Sequence, residues 1–184
     1  MVKPKWLFCD TEFTDLLQPE LISVGIISED GKHEFYMERN DYPKNESSAF
    51  VKTVVEPQLS TKGYSFSDMA DELFIWLSHL PGEYRFIVDY YTDWELIIDL
   101  VDNLPANIIS PVALLYAELD TASALRGMRN STILETTVRA RNAFNIGMMD
   151  YFYTYKLPQH HALNDAKSNR YGWLMAHESF YAKT

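Results

Sequence analysis

The chain opens with short apolar stretches separated by polar turns and closes with apolar residues at helical spacing. Residues 6–9 form a brief buried-type run, residues 21–27 alternate, and residues 34–38 follow the turn signal Glu29-Asp30-Gly31-Lys32. These three segments predict an antiparallel meander. A helix is expected over residues 65–80: Ser65 and Asp68 make a capping pair, Met69, Leu73, Trp76, Leu77 and Leu80 share one face, and Pro81-Gly82 stops it. Residues 84–88 then read as a strand. A helix follows over residues 93–103, where Thr92 and Glu95 have capping-box spacing and set Asp93 on the first turn. Residues 111–116 suit a further strand, and residues 121–144 suit a helical stretch with breaks. The last helix spans residues 162–181, with Ala162, Ala166, Trp173, Ala176 and Phe180 in one stripe. Strands first and alternating helix and strand afterwards predict an α/β fold with a mixed sheet and helices on its faces. No repeat or Gly/Ser-rich linker divides the 184 residues, so one domain is expected over residues 1–184.

Ten Phe, twelve Tyr and four Trp supply a core, which excludes a disordered chain. A single cysteine, Cys9, rules out an internal disulfide framework and a multi-cysteine zinc site. No stretch approaches the roughly 18 apolar residues of a membrane helix, and no signal peptide opens the sequence, so a cytoplasmic location is expected. A net charge of −10 speaks against broad adhesion to nucleic-acid backbones, which relies on many Lys and Arg. The charge is nonetheless segregated. Residues 121–141 carry Arg126, Arg129, Arg139 and Arg141 against Glu135 alone, whereas residues 83–120 are strongly acidic. That basic strip is either a phosphate-binding surface or simply a solvated face.

Candidate chemistry lies in three acidic pieces. Asp10 and Glu12 come off the first strand two residues apart, so both carboxylates face one side at the sheet's rim. Carboxylates held that close invite a hard divalent cation. Asp93 is the second piece, although a carboxylate there also serves the helix dipole, and Asp89 at the preceding strand end competes for the role. The third is His160-His161-Ala162-Leu163-Asn164-Asp165, which brings a loop imidazole and a helix-borne carboxylate from one segment. His161 reads as a helix-capping or partly buried neighbour.

In chain order, D-x-E on the first strand, an Asp after the fourth strand and H-x4-D opening the last helix resemble the three motifs of the DEDDh exonuclease superfamily. Asp10-Thr11-Glu12-Phe13 and His160-His161-Ala162-Leu163-Asn164-Asp165-Ala166 are most similar to the small mycobacterial-type 3′→5′ exoribonuclease family. The resemblance covers nearly the whole chain. Phe13 stands where many relatives carry Thr, and Val88-Asp89 stands where many carry His-Asn.

The resemblance implies a ribonuclease H-like mixed sheet and a two-metal 3′→5′ exonuclease acting on single-stranded RNA ends, with DNA also conceivable, to release nucleoside 5′-monophosphates. It implies two Mg²⁺ ions, with Mn²⁺ able to substitute, on Asp10, Glu12, Asp93 and Asp165, and His160 as general base. Asp10 would bridge the ions, and Asp89 would tune the site. Phe13 is either a stacking platform for the terminal base or a core aromatic. Arg129 and Arg139 are the candidate substrate contacts, and a homodimer could bring the basic strip of one subunit to the other's groove. The alternative is a catalytically silent ribonuclease H-like module that holds single strands.

Overall fold

Five strands form one mixed sheet in the order β3-β2-β1-β4-β5, with β1 (Lys5–Phe13) at its centre. In this computed structural model the described residues are 4–60, 62–130 and 133–179, without the side chains of residues 126–130, 133 and 179. β1 runs antiparallel to β2 (Leu21–Ser28), which runs antiparallel to β3 (Glu34–Glu38). On its other side β1 runs parallel to β4 (Tyr84–Val88), and β4 runs parallel to the short β5 (Ala113–Leu114). The helices are α1 (Phe66–Ser78), α2 (Tyr91–Leu100), α3 (Leu115–Asn130), α4 (Ile133–Tyr155) and α5 (Ala162–Ser179).

The pleat sorts the strands' side chains into two cores. Leu7, Cys9, Val24, Ile26, Phe86 and Val88 pack with Met69, Leu73 and Leu77 of α1 and with Leu96, Ile97 and Leu100 of α2. Trp6, Phe8, Ile27 and Ile87 face the other way and pack with residues of α3, α4 and α5, Phe144 and Trp173 among them. Burying each such large side chain contributes about 1.5–3 kcal/mol. A third, smaller cluster of Ile22, Tyr42, Val51 and Val55 anchors the segment between β3 and α1. That segment winds through short turns at Lys44–Glu46, Val51–Val55 and Glu56–Gln58, for which the apolar pattern shows no element.

The meander and α1 lie where the pattern sets them, and the Ser65 side chain caps α1 by accepting from the Asp68 N–H at 3.1 Å. Three expectations need correction. The strand expected over residues 111–116 shrinks to two residues, because Leu115 and Leu119, one turn apart and both fully buried, already belong to α3. The capping box at Thr92 and Glu95 does not form. Tyr90 is the N-cap of α2 and offers no side-chain bond, Thr92 lies inside the helix, and α2 stops at Leu100. Finally, β1 runs on through Phe13, so Asp10 and Glu12 lie within the strand rather than beyond it.

Two close approaches set α5 on the sheet. Gly25 of β2 sits opposite Asp10, and a Cβ there would fall 2.2 Å from the Leu163 backbone nitrogen, so only glycine lets the start of α5 rest on the strand. At the α4–α5 crossing, a Cβ on Gly147 would lie 2.9 Å from the Cα of Gly172. Among the described residues no helix is long and apolar enough to cross a membrane.

Candidate metal centre

The pairing of β1 with β4 ends at Phe8 opposite Ile87, while β1 continues along β2 to Phe13. The sheet therefore splits at the carboxyl end of β4, where crevices form in α/β proteins. Asp10 and Glu12 lie on the α5 side of β1. Thr11 faces the α2 side, and there its hydroxyl donates to Asp93 Oδ1 at 2.6 Å and its N–H donates to the same oxygen at 3.1 Å. Asp93 is 3% exposed, so these two bonds lock an interior carboxylate. Asp89 follows β4 directly, and its Oδ1 accepts from the Tyr90 N–H at 3.1 Å. Asp10, Asp89 and Asp93 each offer one oxygen within 4.8 Å of the others.

A second trio, Glu12, His160 and Asp165, converges within the same 4.8 Å. Asp165 is tied to the start of α5, accepting from the His161 N–H at 3.1 Å while its own N–H donates to the His161 carbonyl at 3.0 Å. The His161 ring stacks on Tyr36 with centroids 4.4 Å apart, in keeping with a partly buried capping neighbour. His160 is exposed, and its backbone sits in the left-handed region at φ 59°, unusual for a residue with a Cβ. Contacts from elsewhere hold it there. Phe50 meets its ring edge-on at 4.9 Å, Gln58 Nε2 donates to the Gln159 carbonyl at 2.9 Å, and Asn164 Nδ2 donates to the Pro158 carbonyl at 3.2 Å.

Both trios line one cleft of about 620 Å³. Six carboxylates line it, those of Asp10, Glu12, Asp15, Asp89, Asp93 and Asp165, and none of its described lining residues is Lys or Arg. Burial, reinforced by the neighbouring carboxylates, pushes Glu12 up to about 8 and Asp93 and Asp165 to about 7. The Thr11 and His161 hydrogen bonds pull Asp93 and Asp165 part of the way back. Asp10 is raised well above the carboxylate range, by burial first and then by Asp93, Asp89, Asp165 and Glu12. Acids this crowded either keep protons or take a cation. The carboxylate oxygens of the two trios are hard donors and could hold a divalent metal ion.

No protein-family model and no curated protein matches this sequence.

All five residues of the three motifs, Asp10, Glu12, Asp93, His160 and Asp165, meet in this cleft, and Asp89 joins them. Phe13 lines the cleft and also packs against the α1–α2 core, so neither of its two readings displaces the other. Arg139 lies half-buried on α4 and does not line the cleft, and Arg141 is spent in an ion pair with Asp120. The side chains of Arg126 and Arg129 lie outside the described residues. Sequence reasoning missed Phe50, Met148, Phe152 and Asn169 as lining residues. Only Asn169 carries a local signal: it follows Asp165 by four residues, which puts both on one face of a helix.

Proposed function

We propose that this protein is a two-metal 3′→5′ exonuclease of ribonuclease H-like fold, acting on single-stranded RNA ends. One observation carries the reading: two donor trios, Asp10–Asp89–Asp93 and Glu12–His160–Asp165, stand side by side in one cleft, joined through Asp10 and Glu12 on the same strand face. Divalent ions, when bound, supply activation of a water and neutralisation of charge on the leaving oxygen. Asp10 would provide the shared carboxylate, Glu12 and Asp165 would hold the nucleophile side, and Asp93 would hold the leaving-group side. His160 accepts a proton from the attacking water at a ring nitrogen, and the Glu12 and Asp165 carboxylates beside it stabilise the imidazolium. The water oxygen bonds to phosphorus, the bond from phosphorus to the preceding nucleotide's 3′ oxygen breaks, that oxygen takes up a proton from solvent, and a nucleoside 5′-monophosphate leaves. Phe13 and Phe50, both lining the cleft, offer aromatic faces to a terminal base.

An acidic cleft with no Lys or Arg among its described lining residues admits phosphate together with cations, which ties strand binding to metal. Incubating 5′-labelled oligoribonucleotide and oligodeoxyribonucleotide with Mg²⁺, Mn²⁺ or EDTA tests the reading. The expected result is stepwise shortening from the 3′ end with 5′-monophosphates as products, faster on RNA and abolished by EDTA. A strand retained without any monophosphate release, whatever the ion, would replace catalysis with simple strand holding.

A further inference from the structure

Asn169 lies one turn beyond Asp165 on α5 and lines the same cleft as Asp10, Asp89 and Asp93. It is 3% exposed, yet its Oδ1 has no hydrogen-bond partner. A buried carbonyl left that way is unfavourable, so such an atom calls for a partner. An amide oxygen is an acceptor with two lone pairs, and here neither has a partner. That oxygen is neutral and hard, a donor type that Mg²⁺ and Mn²⁺ accept readily, and its residue lines the cleft together with the carboxylate trio. Asp89 itself stands within 4.8 Å of Asp10 and Asp93 through an oxygen of each.

We propose that Asp89 and the Oδ1 of Asn169 are additional ligands of the divalent cation on the Asp10–Asp93 side, giving that ion four protein donors. The inference rests on the two-metal reading of the cleft. It assigns Asp89 to binding rather than tuning, and it gives Asn169 a role that no acidic motif signals. The two sides of the centre then differ in kind. One ion would sit on oxygen donors from β1, the turn after β4, α2 and α5, whereas the other would share its surroundings with an exposed imidazole.

The test titrates Mn²⁺ alone into the full chain without nucleic acid and follows free Mn²⁺ by electron paramagnetic resonance. Wild type should bind two ions. Asp89→Asn and Asn169→Leu should each weaken one of the two by about 10-fold or more and leave the other unchanged, in the range expected for losing a metal-site partner. Asn169→Asp, almost the same shape, should bind that ion at least as tightly as wild type. It is also the control should Asn169→Leu fail to fold, because weaker Mn²⁺ binding in a folded Asn169→Asp overturns the assignment. Unchanged binding by Asp89→Asn and Asn169→Leu overturns it too, with the two-ion reading intact. If wild type itself binds no Mn²⁺, the metal centre and this inference fall together.

Discussion

The two halves of the carboxylate cluster are built in opposite ways. Asp93 is an interior side chain locked by two bonds from Thr11, a residue eighty-two positions earlier in the chain. His160 sits exposed on a loop in left-handed backbone, kept in place by Gln58 and Phe50. Between them, Asp10 and Glu12 share a strand face and belong to one half each. A preorganised half suits a cation that stays through turnover, and an exposed imidazole suits a group that must meet water and release a proton. Under the proposed mechanism the contrast would separate holding from proton transfer, and it can be broken at several points.

The largest effect should come from Asp10, the carboxylate proposed to be shared by both ions. Asp10→Asn should remove detectable turnover while the fold survives, with a metal-free melting temperature equal to or above that of wild type because one repelling acid is gone. Turnover retained at saturating Mg²⁺ would sink the two-metal arrangement. Next is Gly25→Ala. Its Cβ would strike the backbone of Leu163 and push the start of α5, with Asp165 and the His160 loop, off the sheet. Turnover should fall about 100-fold, as expected for a displacement of order 1 Å at a reacting centre, and stability by about 1–3 kcal/mol. Full activity there would mean that the two halves need not meet over Gly25.

Thr11→Val addresses the locked half alone. Losing a hydroxyl bond to a carboxylate costs about 1.5–3 kcal/mol, so the Mg²⁺ concentration for half-maximal activity should rise about 10-fold or more. An unshifted Mg²⁺ titration would show that Asp93 needs no lock. A smaller effect concerns pH. Unfolded carboxyls titrate near 4, whereas Glu12 is pushed up to about 8 and Asp93 and Asp165 to about 7 when folded without metal. The folded chain holds the extra protons across that window, so metal-free stability should fall as pH rises from about 4 to 8. Thermal melting in EDTA should give a lower midpoint at pH 8 than at pH 5, and Mg²⁺ should raise it more at pH 8. A flat profile would argue against crowded acids. The smallest change is expected of Gln58→Ala, which frees the His160 loop: turnover should drop a few-fold with Mn²⁺ affinity untouched, and a loss of Mn²⁺ affinity instead would tie the loop to metal holding.

Much of the site was legible because its chemistry is local. Asp10 and Glu12 share a face by strand period alone, and His160 and Asp165 reach one point from six consecutive residues. Phe50 and Gln58 were not legible, because they come from a segment of short turns without periodicity whose position depends on its own small core. Gly25 looks like an interruption in an apolar strand until α5 is seen resting on it. Thr92 illustrates the opposite error: good capping spacing lost to a helix that starts earlier, with Tyr90 as its N-cap.

By itself the sequence determined the meander, α1 and its cap, the placement of β4 and α5, and the short list of acids capable of the chemistry, since each follows from nearest-neighbour periodicity and side-chain type. The tertiary structure alone decided how those acids are partnered. Asp89 joins Asp10 and Asp93, while Glu12 joins His160 and Asp165, because β1 lies between an antiparallel β2 and a parallel β4 and the cleft opens where the second pairing stops. The meeting of residues 10, 89 and 93, and of residues 12, 160 and 165, depends on which strands become neighbours, and no local pattern along a chain encodes that.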